Sequence, residues 1–442
     1  MDHVSACRYS RLNRTYISLL FIPILMLAKY FILAFLLWLL TATFAAAEAP
    51  VQPGDRIAII GNTFADQLRI HGYLETLLLK HTRENPVSIC NLGWGGDMLS
   101  ARDRPTGFPA EESTLTAHKT DLIIACFGMG ESFAGDEGLE EFNSDLKALI
   151  ASHSGKKYNG KSGVRLVLVS PIACEYLGKL TPERDRRNRE LNAYTRVMRD
   201  VATDAEVHFV NLFEASRYLM DEAIGPKLTN NGIHLNSFGY WAISYSFFDQ
   251  LTADDRVSNQ QSWLLRLNAA TKSIDARGIR ISELSTDESS LSFKVTEESA
   301  PRLRPPTTQP LPPQLDFVRD MLIVDNLKPG KYRLTIDQEI VATSTAEAWA
   351  EGVAIDSSPA HKLTEAYQAM VNDKNLQFMY SWKALNQVHI VGERRRSSSG
   401  KSLPKEVIEF NRLANKLDKA LRNGIELKTR QWRISRISNQ GS

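Results

Sequence analysis

Cysteine and net charge are both scarce in this sequence, and each scarcity excludes a class of protein. The 442-residue chain has four cysteines and a formal net charge of +2. A chain so close to neutral creates no overall field that would attract a polyanion, so we predict no nucleic-acid partner. Cys7 lies in an N-terminal leader, and the odd number that remains gives no disulfide framework. Cys90, Cys126 and Cys174 each follow an apolar, β-branched run, which predicts small buried residues at strand ends.

The N-terminus carries a long apolar run. Residues 30–40, YFILAFLLWLL, follow several basic residues and precede small residues with A-x-A spacing at Ala45 and Ala47. A basic segment, an apolar core and a small-residue cleavage site are typical of a secretory signal peptide. We therefore predict a signal peptide over residues 1–47, with Met26 as an alternative true start, and a secreted, periplasmic or cell-envelope location. The alternative is an uncleaved leader that anchors the protein in a membrane.

Residues 50–255 alternate between short buried strands and helical stretches. The strand candidates are β-branched-rich and continuously apolar, as parallel strands covered on both faces are. They are residues 55–61, 87–93, 122–128, 164–172 and 207–213. Helical periodicity between them, as over 137–150 and 181–202, completes a βα repeat. The pattern predicts an α/β domain with a doubly wound parallel sheet, whose ligands bind at the carboxyl ends of the strands.

Residues 256–442 have a different texture, which predicts an accessory β-rich and helical region. Alternating apolar and polar residues over 291–295 and 332–336 predict antiparallel strands with one wet face. A proline-rich segment at 300–314 predicts an extended loop or linker. Helical patterns return at 361–380 and 404–423.

One segment of the accessory region, 378–396, is rich in aromatic and basic residues. Such a composition is found at protein interfaces. The segment therefore predicts either packing against the first domain or contact with an envelope protein partner.

Ester chemistry needs a nucleophile, a base that takes its proton, and donors for the developing oxyanion. Thr63 follows the first strand through a tight turn, so its hydroxyl is a candidate nucleophile; the alternative is a structural turn residue. His234 lies in a polar, glycine-containing loop, and imidazole titrates near neutrality, so it is the candidate base. Two glycine-rich strand exits, 90–98 and 126–132, can turn backbone N–H groups inward as oxyanion donors.

The order and spacing of these stretches resemble the SGNH hydrolase superfamily, the GDSL-like esterases, from residue 55 to about 250. The family's Gly-Asp-Ser block is matched by Gly61-Asn62-Thr63, its oxyanion glycine by Gly93, its Gly-x-Asn-Asp block by Gly128-Met129-Gly130-Glu131, and its Asp-x-x-His block by Asn231-Gly232-Ile233-His234. The resemblance implies a three-layer α/β/α sandwich with a parallel sheet. It also implies hydrolysis of esters of lipids, carbohydrates or other small acyl compounds.

The same resemblance implies roles for individual residues. Thr63, His234 and Asn231 become the catalytic candidates, and Thr63, Gly93 and Gly130 the oxyanion hole. Three of these depart from the family, because Thr63 replaces serine, Gly130 replaces a side-chain donor and Asn231 replaces the triad aspartate. Loss of one oxyanion donor typically costs about 10²–10³ in rate. An amide in place of the triad carboxylate costs roughly 10⁴ in the serine-protease template.

Compensation by neighbouring polar groups is open. An Asn carbonyl can orient a histidine in place of a carboxylate. The side chains that could support the site are Asn62, Asn230 and Glu131, and those that could reach the imidazole are Asp221 and Glu222. We predict no cofactor and no metal, because a convergence of Asp97, Glu131 and His234 has no ligand-spacing signature.

Two functions from different classes fit this sequence. The first is an exported SGNH-type esterase or deacylase that acts on a small-molecule or carbohydrate ester. The second is a catalytically degenerate SGNH-fold protein of the cell envelope, which binds a ligand or serves as a scaffold without turnover. Fold alone does not separate them, because function lies in the site.

Overall fold

Most of the chain after the leader is described by the computed structural model. The described residues are 49–105, 108–220, 225–253, 262–287, 289–313, 315, 317–385 and 396–437. The predicted leader, Asp221 and Glu222, the predicted boundary at 255/256 and residues 386–395 of the segment 378–396 lie outside them. Within the described part, no helix is both long and apolar enough to cross a membrane.

The first half of the chain forms a five-stranded parallel sheet with the strand order β2-β1-β3-β4-β5. The strands are β1 Arg56–Gly61, β2 Ser88–Asn91, β3 Leu122–Cys126, β4 Arg165–Val169 and β5 His208–Val210. Each strand lies inside one of the apolar runs, and most residues of β1 to β4 are buried. Cys90, Cys126 and Cys174 are buried and free at or beyond these strands.

Helices cover both faces of this sheet. They are α1 Thr63–His71, α2 Tyr73–His81, α3 Glu111–His118, α4 Leu139–His153, α5 Arg184–Asp204, α6 Leu212–Met220 and α7 Ser237–Thr252. Successive residues of a strand point to opposite faces. Ile57 and Ile59 therefore pack with α1, α2, α6 and α7, whereas Ala58 and Ile60 pack with α3, α4 and α5. The predicted three-layer α/β/α fold is confirmed.

The second half contributes two further sheets that share one core. Their strand orders are β13-β10-β6-β7 and β12-β11-β14-β9-β8. The strands are β6 Leu264–Asn268, β7 Ile274–Arg277, β8 Ile279–Thr286, β9 Ser290–Glu297, β10 Met321–Asp325, β11 Lys331–Ile336, β12 Glu339–Thr345, β13 Val353–Ala354 and β14 Arg430–Arg436. Trp263 and Leu322 from one sheet pack with Phe293 and Trp432 from the other. The predicted β-rich extension is present, and its last strand pairs between β11 and β9.

Helices of the second half return to the first half. They are α8 Ala346–Glu351, α9 Pro359–Trp382 and α10 Ser398–Leu421. Lys374 of α9 is buried, pairs with Glu75 of α2, and donates to the carbonyl of Ile89 at 2.7 Å. Asn375 Nδ2 donates to the other Glu75 oxygen at 2.8 Å. Burial raises the pKa of Glu75 above its usual value, and the Lys374 charge acts against that rise.

Removal of one partner from this buried pair is expected to destabilise the protein. Lys374→Met leaves the Glu75 carboxylate without its cation, so the free energy of unfolding in urea should fall by about 3–5 kcal/mol. The double variant Lys374→Met, Glu75→Leu should recover most of that loss. Lys362→Met, which breaks an exposed pair with Glu339, is the control and should cost less than about 1 kcal/mol. Equal losses in both single variants would contradict this prediction.

A second buried carboxyl makes stability depend on pH. Glu297, at the end of β9, is buried, and its Oε2 has no partner among the described residues. Burial, reinforced by the Asp320 charge, raises the pKa of Glu297 to about 8. Because the folded pKa exceeds the unfolded one, the folded state holds the proton more tightly. Stability should therefore fall as pH rises between the ordinary glutamate pKa and about 8.

Glu297→Gln should remove that pH dependence. The amide stays neutral, so the variant should gain stability over the parent as pH rises from about 5 to about 8, by up to about 1 kcal/mol per pH unit. Urea unfolding at both pH values measures the difference. The matched control is Glu298→Gln, at the exposed neighbouring position, which should follow the parent. A gain that is the same at both pH values would count against a titrating Glu297.

Candidate active site

A cleft of about 230 Å³ opens at the carboxyl ends of β1, β3 and β4. Five stretches far apart in the sequence line it, and four of them contribute Thr63, Gly96, Gly130 and His234. Asn62 also lines it. The other predicted site residues, Gly93, Glu131, Asn230 and Asn231, do not belong to the lining, although Asn231 contacts the His234 ring.

A larger cavity, about 350 Å³, lies at the amino ends of β1 and β2, on the opposite side of the sheet from the cleft. The buried charged groups in its wall already have structural partners. Lys374 is paired with Glu75, and Asp418 accepts a hydrogen bond from the Ser88 hydroxyl at 3.0 Å. We therefore assign the candidate active site to the smaller cleft, where ligands of such sheets bind.

Thr63 is presented by the N-terminus of α1. Asn62 is the N-cap, and its Oδ1 accepts the N–H of Phe64 at 2.9 Å. Asn caps a helix as well as Asp does, so the exchange at this position preserves the turn. The backbone N–H of Thr63 has no partner among the described residues, and its Oγ1 accepts the N–H of Gly96 at 3.2 Å. Asn62 thus acts through the cap, and Thr63 offers both a hydroxyl and an unpaired donor.

The oxyanion role predicted for Gly93 needs correction. The Gly93 N–H donates to Asn91 Oδ1 at 2.8 Å, inside the protein, so it is not available to a ligand. Gly96, and not Gly93, lines the cleft, and its N–H donates to Thr63 Oγ1 at 3.2 Å. Its φ of 89° lies in the left-handed region, which favours glycine. The sequence does show the glycine pair Gly95-Gly96 before Asp97. Gly93 was chosen instead because it lies nearer to the end of the strand.

Gly130 lines the cleft but supplies no side-chain donor. A Cβ at this position would lie 2.8 Å from Cγ of Met98. The Met98 side chain therefore occupies the space into which a longer residue would extend. The third donor that the family resemblance implies is absent here, and a thioether fills the gap.

Glu131 has a structural task, which corrects its predicted supporting role. Its Oε1 accepts the N–H of Leu99 at 2.9 Å, and its Oε2 accepts the N–H of Gly128 at 2.8 Å. Burial raises the pKa of this carboxyl, and the two backbone donors act in the opposite direction. Glu131 thus ties the glycine loop of Gly96 to the exit of β3.

Two of the three side chains considered and rejected as metal ligands, Asp97 and Glu131, are engaged elsewhere. Asp97 is bound at both oxygens by Arg104, at 2.8 and 2.6 Å. Glu131 is occupied by backbone N–H groups, as described above. In the part of the chain that the structure describes, no group of three or more His, Cys, Asp or Glu side chains is placed to hold a metal ion.

The orientation of the Asn231 amide fixes the state of His234. Asn231 Oδ1 accepts the backbone N–H groups of Ile233 at 3.3 Å and His234 at 2.9 Å. The amide nitrogen must then face His234 Nδ1, which it does at 2.9 Å. An amide nitrogen only donates, so Nδ1 accepts and the neutral ring carries its proton on Nε2. This is the opposite tautomer from the one a triad carboxylate selects.

Asn230, which could have compensated, does not reach the ring. The Asn230 side chain is exposed, and its backbone N–H donates to the His234 carbonyl at 2.9 Å. It therefore shapes the loop and does not orient the imidazole. In the described part of the chain, no hydrogen bond joins Thr63 Oγ1 to His234.

Glu175 is a site-building residue that sequence reasoning missed. It is buried, and its carboxylate accepts the N–H groups of Leu228 at 3.0 Å and Thr229 at 2.8 Å, and the Thr229 hydroxyl at 2.6 Å. Its own N–H donates to the Gly232 carbonyl at 2.8 Å. Glu175 therefore positions the loop that carries His234. The sequence feature that could have indicated this role is an acidic residue in the segment that follows the buried strand β4.

An α/β/α sandwich with a hydroxyl, an imidazole and backbone donors at the carboxyl edge defines an acyl-hydrolase type of site. Residues 54–242 match the family described as GDSL-like Lipase/Acylhydrolase family. The resemblance drawn from the sequence is therefore confirmed for this segment of the chain. No curated protein matches the chain.

One solved structure shares the fold over most of the chain. The structure of BT4096, a gut microbial diltiazem-metabolizing enzyme, matches with a TM-score of 0.66 and 15% identity, over 88% of this chain and 99% of that one. The similarity therefore extends through the β-rich region. Axe2 from Geobacillus stearothermophilus, an acetyl xylan esterase, matches with a TM-score of 0.36 and 18% identity, over 46% of this chain and 96% of that one.

Proposed function

We propose that this protein is an exported GDSL-type ester hydrolase of low turnover, which acts on a small acyl group carried by an alcohol such as a carbohydrate. One observation carries the proposal. The Thr63 hydroxyl lies at the N-terminus of α1, hydrogen-bonded to the Gly96 N–H, in the same cleft as His234. The family match over residues 54–242 supports the reaction class, and the predicted signal peptide supports export.

In the proposed reaction, Thr63 Oγ1 attacks the ester carbonyl carbon and its proton passes to His234. The carbonyl oxygen becomes an oxyanion, to which the N–H groups of Thr63 and Gly96 donate. Collapse of this intermediate expels the alcohol, which takes the proton from His234, and leaves an acyl-threonine. Water then attacks that ester by the same steps, releases the acid and restores the Thr63 hydroxyl.

The Asn231 amide sets the expected rate of this reaction. His234 can accept a proton on Nε2 only when its own proton is on Nδ1, where it would oppose the Asn231 amide N–H. The two N–H groups stop opposing each other only if the Asn231 amide turns over, and that turn breaks its hydrogen bonds from the N–H groups of Ile233 and His234. In the serine-protease template the equivalent change costs roughly 10⁴ in kcat. We therefore expect slow turnover.

The same amide favours a second candidate function, a binding protein without turnover. With Nε2 protonated, His234 offers a donor, and the unpaired Thr63 N–H and the Thr63 hydroxyl offer two more in the same cleft. Such a set suits an acceptor such as an acyl carbonyl or a carboxylate. Under this candidate the cleft retains an acylated or acidic ligand.

Asn231→Asp separates the two candidates. A carboxylate at this position accepts Nδ1–H, selects the productive tautomer and stabilises the imidazolium, so kcat should rise by about 10³-fold or more. Acetate release from 4-nitrophenyl acetate and acetylated xylan measures the change. Asn230→Asp, which adds the same charge at an exposed position without ring contact, is the matched control and should leave the rate unchanged. Equal effects of both variants would contradict the assigned role of Asn231.

The activated variant also tests the nucleophile and the base. In the Asn231→Asp background, Thr63→Ala and His234→Ala should each lower kcat by about 10²-fold or more, because each removes a partner in proton transfer and attack. Thr63→Ser should retain or raise the rate, since it relieves the methyl group beside the hydroxyl. Turnover that persists in Thr63→Ala would exclude Thr63 as nucleophile. Absence of turnover in every variant would favour the binding candidate.

A further inference from the structure

Phe133 is an apolar ring exposed in the wall of the cleft. It lies in the 3₁₀ turn Glu131–Gly138, lines the cleft with Thr63 and His234, and leaves 64% of its surface exposed. Exposed apolar surface next to a ligand cleft is costly in water and is covered when a ligand binds. The ring therefore has the position of a substrate contact.

The Phe133 ring is held in place by a buried guanidinium. Arg187 lies under the ring, with its Cζ 3.7 Å from the ring centroid. The same guanidinium donates to the carbonyls of Ser132 at 2.8 Å and Met129 at 3.1 Å, and to the Ser132 hydroxyl at 2.6 Å. These bonds fix the backbone on which Phe133 stands. One face of the ring is covered by Arg187, so a ligand would stack on the other.

A second ring of the same kind stands beside the His234 loop. Tyr176 is 55% exposed, and the Arg184 guanidinium lies 5.6 Å from its ring centroid. The neighbouring Glu175 N–H donates to the carbonyl of Gly232, two residues before His234. Two exposed aromatic rings, each with an arginine against it, therefore belong to loops that border the cleft.

We propose that Phe133 determines specificity by stacking against a sugar ring, so that the substrate is the ester of a carbohydrate. This inference rests on the proposed ester-hydrolase function of the cleft, and it specifies the alcohol part of the ester substrate. A pyranose presents a flat face of C–H groups and an edge of hydroxyls, which matches an exposed ring face with polar groups around it. The acyl group fits the deeper part of the cleft, where Phe127 and Ile172 are buried.

The surroundings of the ring favour a neutral ligand. Arg187, which pairs with Glu190 at 2.9 Å, already covers one face of Phe133, so that face is closed to a cationic ligand. A long acyl chain would need a continuous apolar groove, whereas Arg184 and the exposed Asn230 and Asn231 lie on the His234 side. A neutral, hydroxylated ring meets neither obstacle.

Binding to the full chain tests this inference independently of turnover. Calorimetric titration with xylotetraose, cellotetraose and chitotetraose should detect binding of at least one of them. Phe133→Ala should weaken that binding by about 10-fold, the scale of one aromatic stacking contact, whereas Phe133→Trp should retain it. The matched control is Tyr218→Ala, which removes an aromatic residue of α6 that is 62% exposed and not part of the cleft lining; it should bind as the parent does.

A turnover assay tests whether Phe133 contacts the alcohol part of the substrate rather than its acyl group. In the Asn231→Asp background, Phe133→Ala should raise KM about 10-fold for an acetylated xylo-oligosaccharide and leave kcat/KM for triacetin, which has no ring, unchanged. Failure of the hydrolase proposal would remove turnover but leave the titration result intact. The sugar inference is overturned if no oligosaccharide binds, or if Phe133→Ala and Tyr218→Ala have the same affinity.

Discussion

The amide of Asn231 lies between the backbone of its own loop and the ring of His234, and its two ends are not interchangeable. Its oxygen must accept from the N–H groups of Ile233 and His234, so its nitrogen must face Nδ1. An aspartate in that place would satisfy the backbone with one oxygen and the ring with the other. A change of one heavy atom, from oxygen to nitrogen, therefore leaves the loop geometry intact. It also places the proton of the neutral imidazole on Nε2, where a carboxylate would place it on Nδ1.

Carboxylates are present around the cleft, but the protein uses them to hold backbone. Glu175 accepts two N–H groups of the His234 loop, and Glu131 accepts one from each of the loops that it joins. Asp97 is neutralised by Arg104. Each acid thereby fixes a loop near the reacting groups, and none of the three is directed at the imidazole. The three acids therefore support the position of the loops, and the ring of His234 has an amide as its side-chain partner.

Sequence periodicity was sufficient for the sheet because β1 to β4 are buried on both faces and so are almost continuously apolar. It was insufficient for strands such as β14, whose sequence RQWRISR gains its strand identity from distant partners in β9 and β11. The site followed the same rule. Placement of Thr63 and His234 at one edge follows from strand order, whereas the choice of Gly96 over Gly93 depends on which N–H the Asn91 side chain captures. Amide orientation at Asn231 depends on local hydrogen bonds that spacing does not encode.

The accessory region also bears on the cleft, through the loop that presents Gly96. Trp94 stands two residues before that glycine, and its ring meets Trp382 at the end of α9 with centroids 5.6 Å apart. The next residue, Lys383, pairs with Asp66 of α1 at 2.6 Å and lies 4.7 Å from the Trp94 ring. Helix α9 thus braces both the glycine loop and the helix that carries Thr63. Because the same helix is fastened by Lys374 to Glu75, the geometry of the donors at the cleft depends on residues more than 250 positions further along the chain.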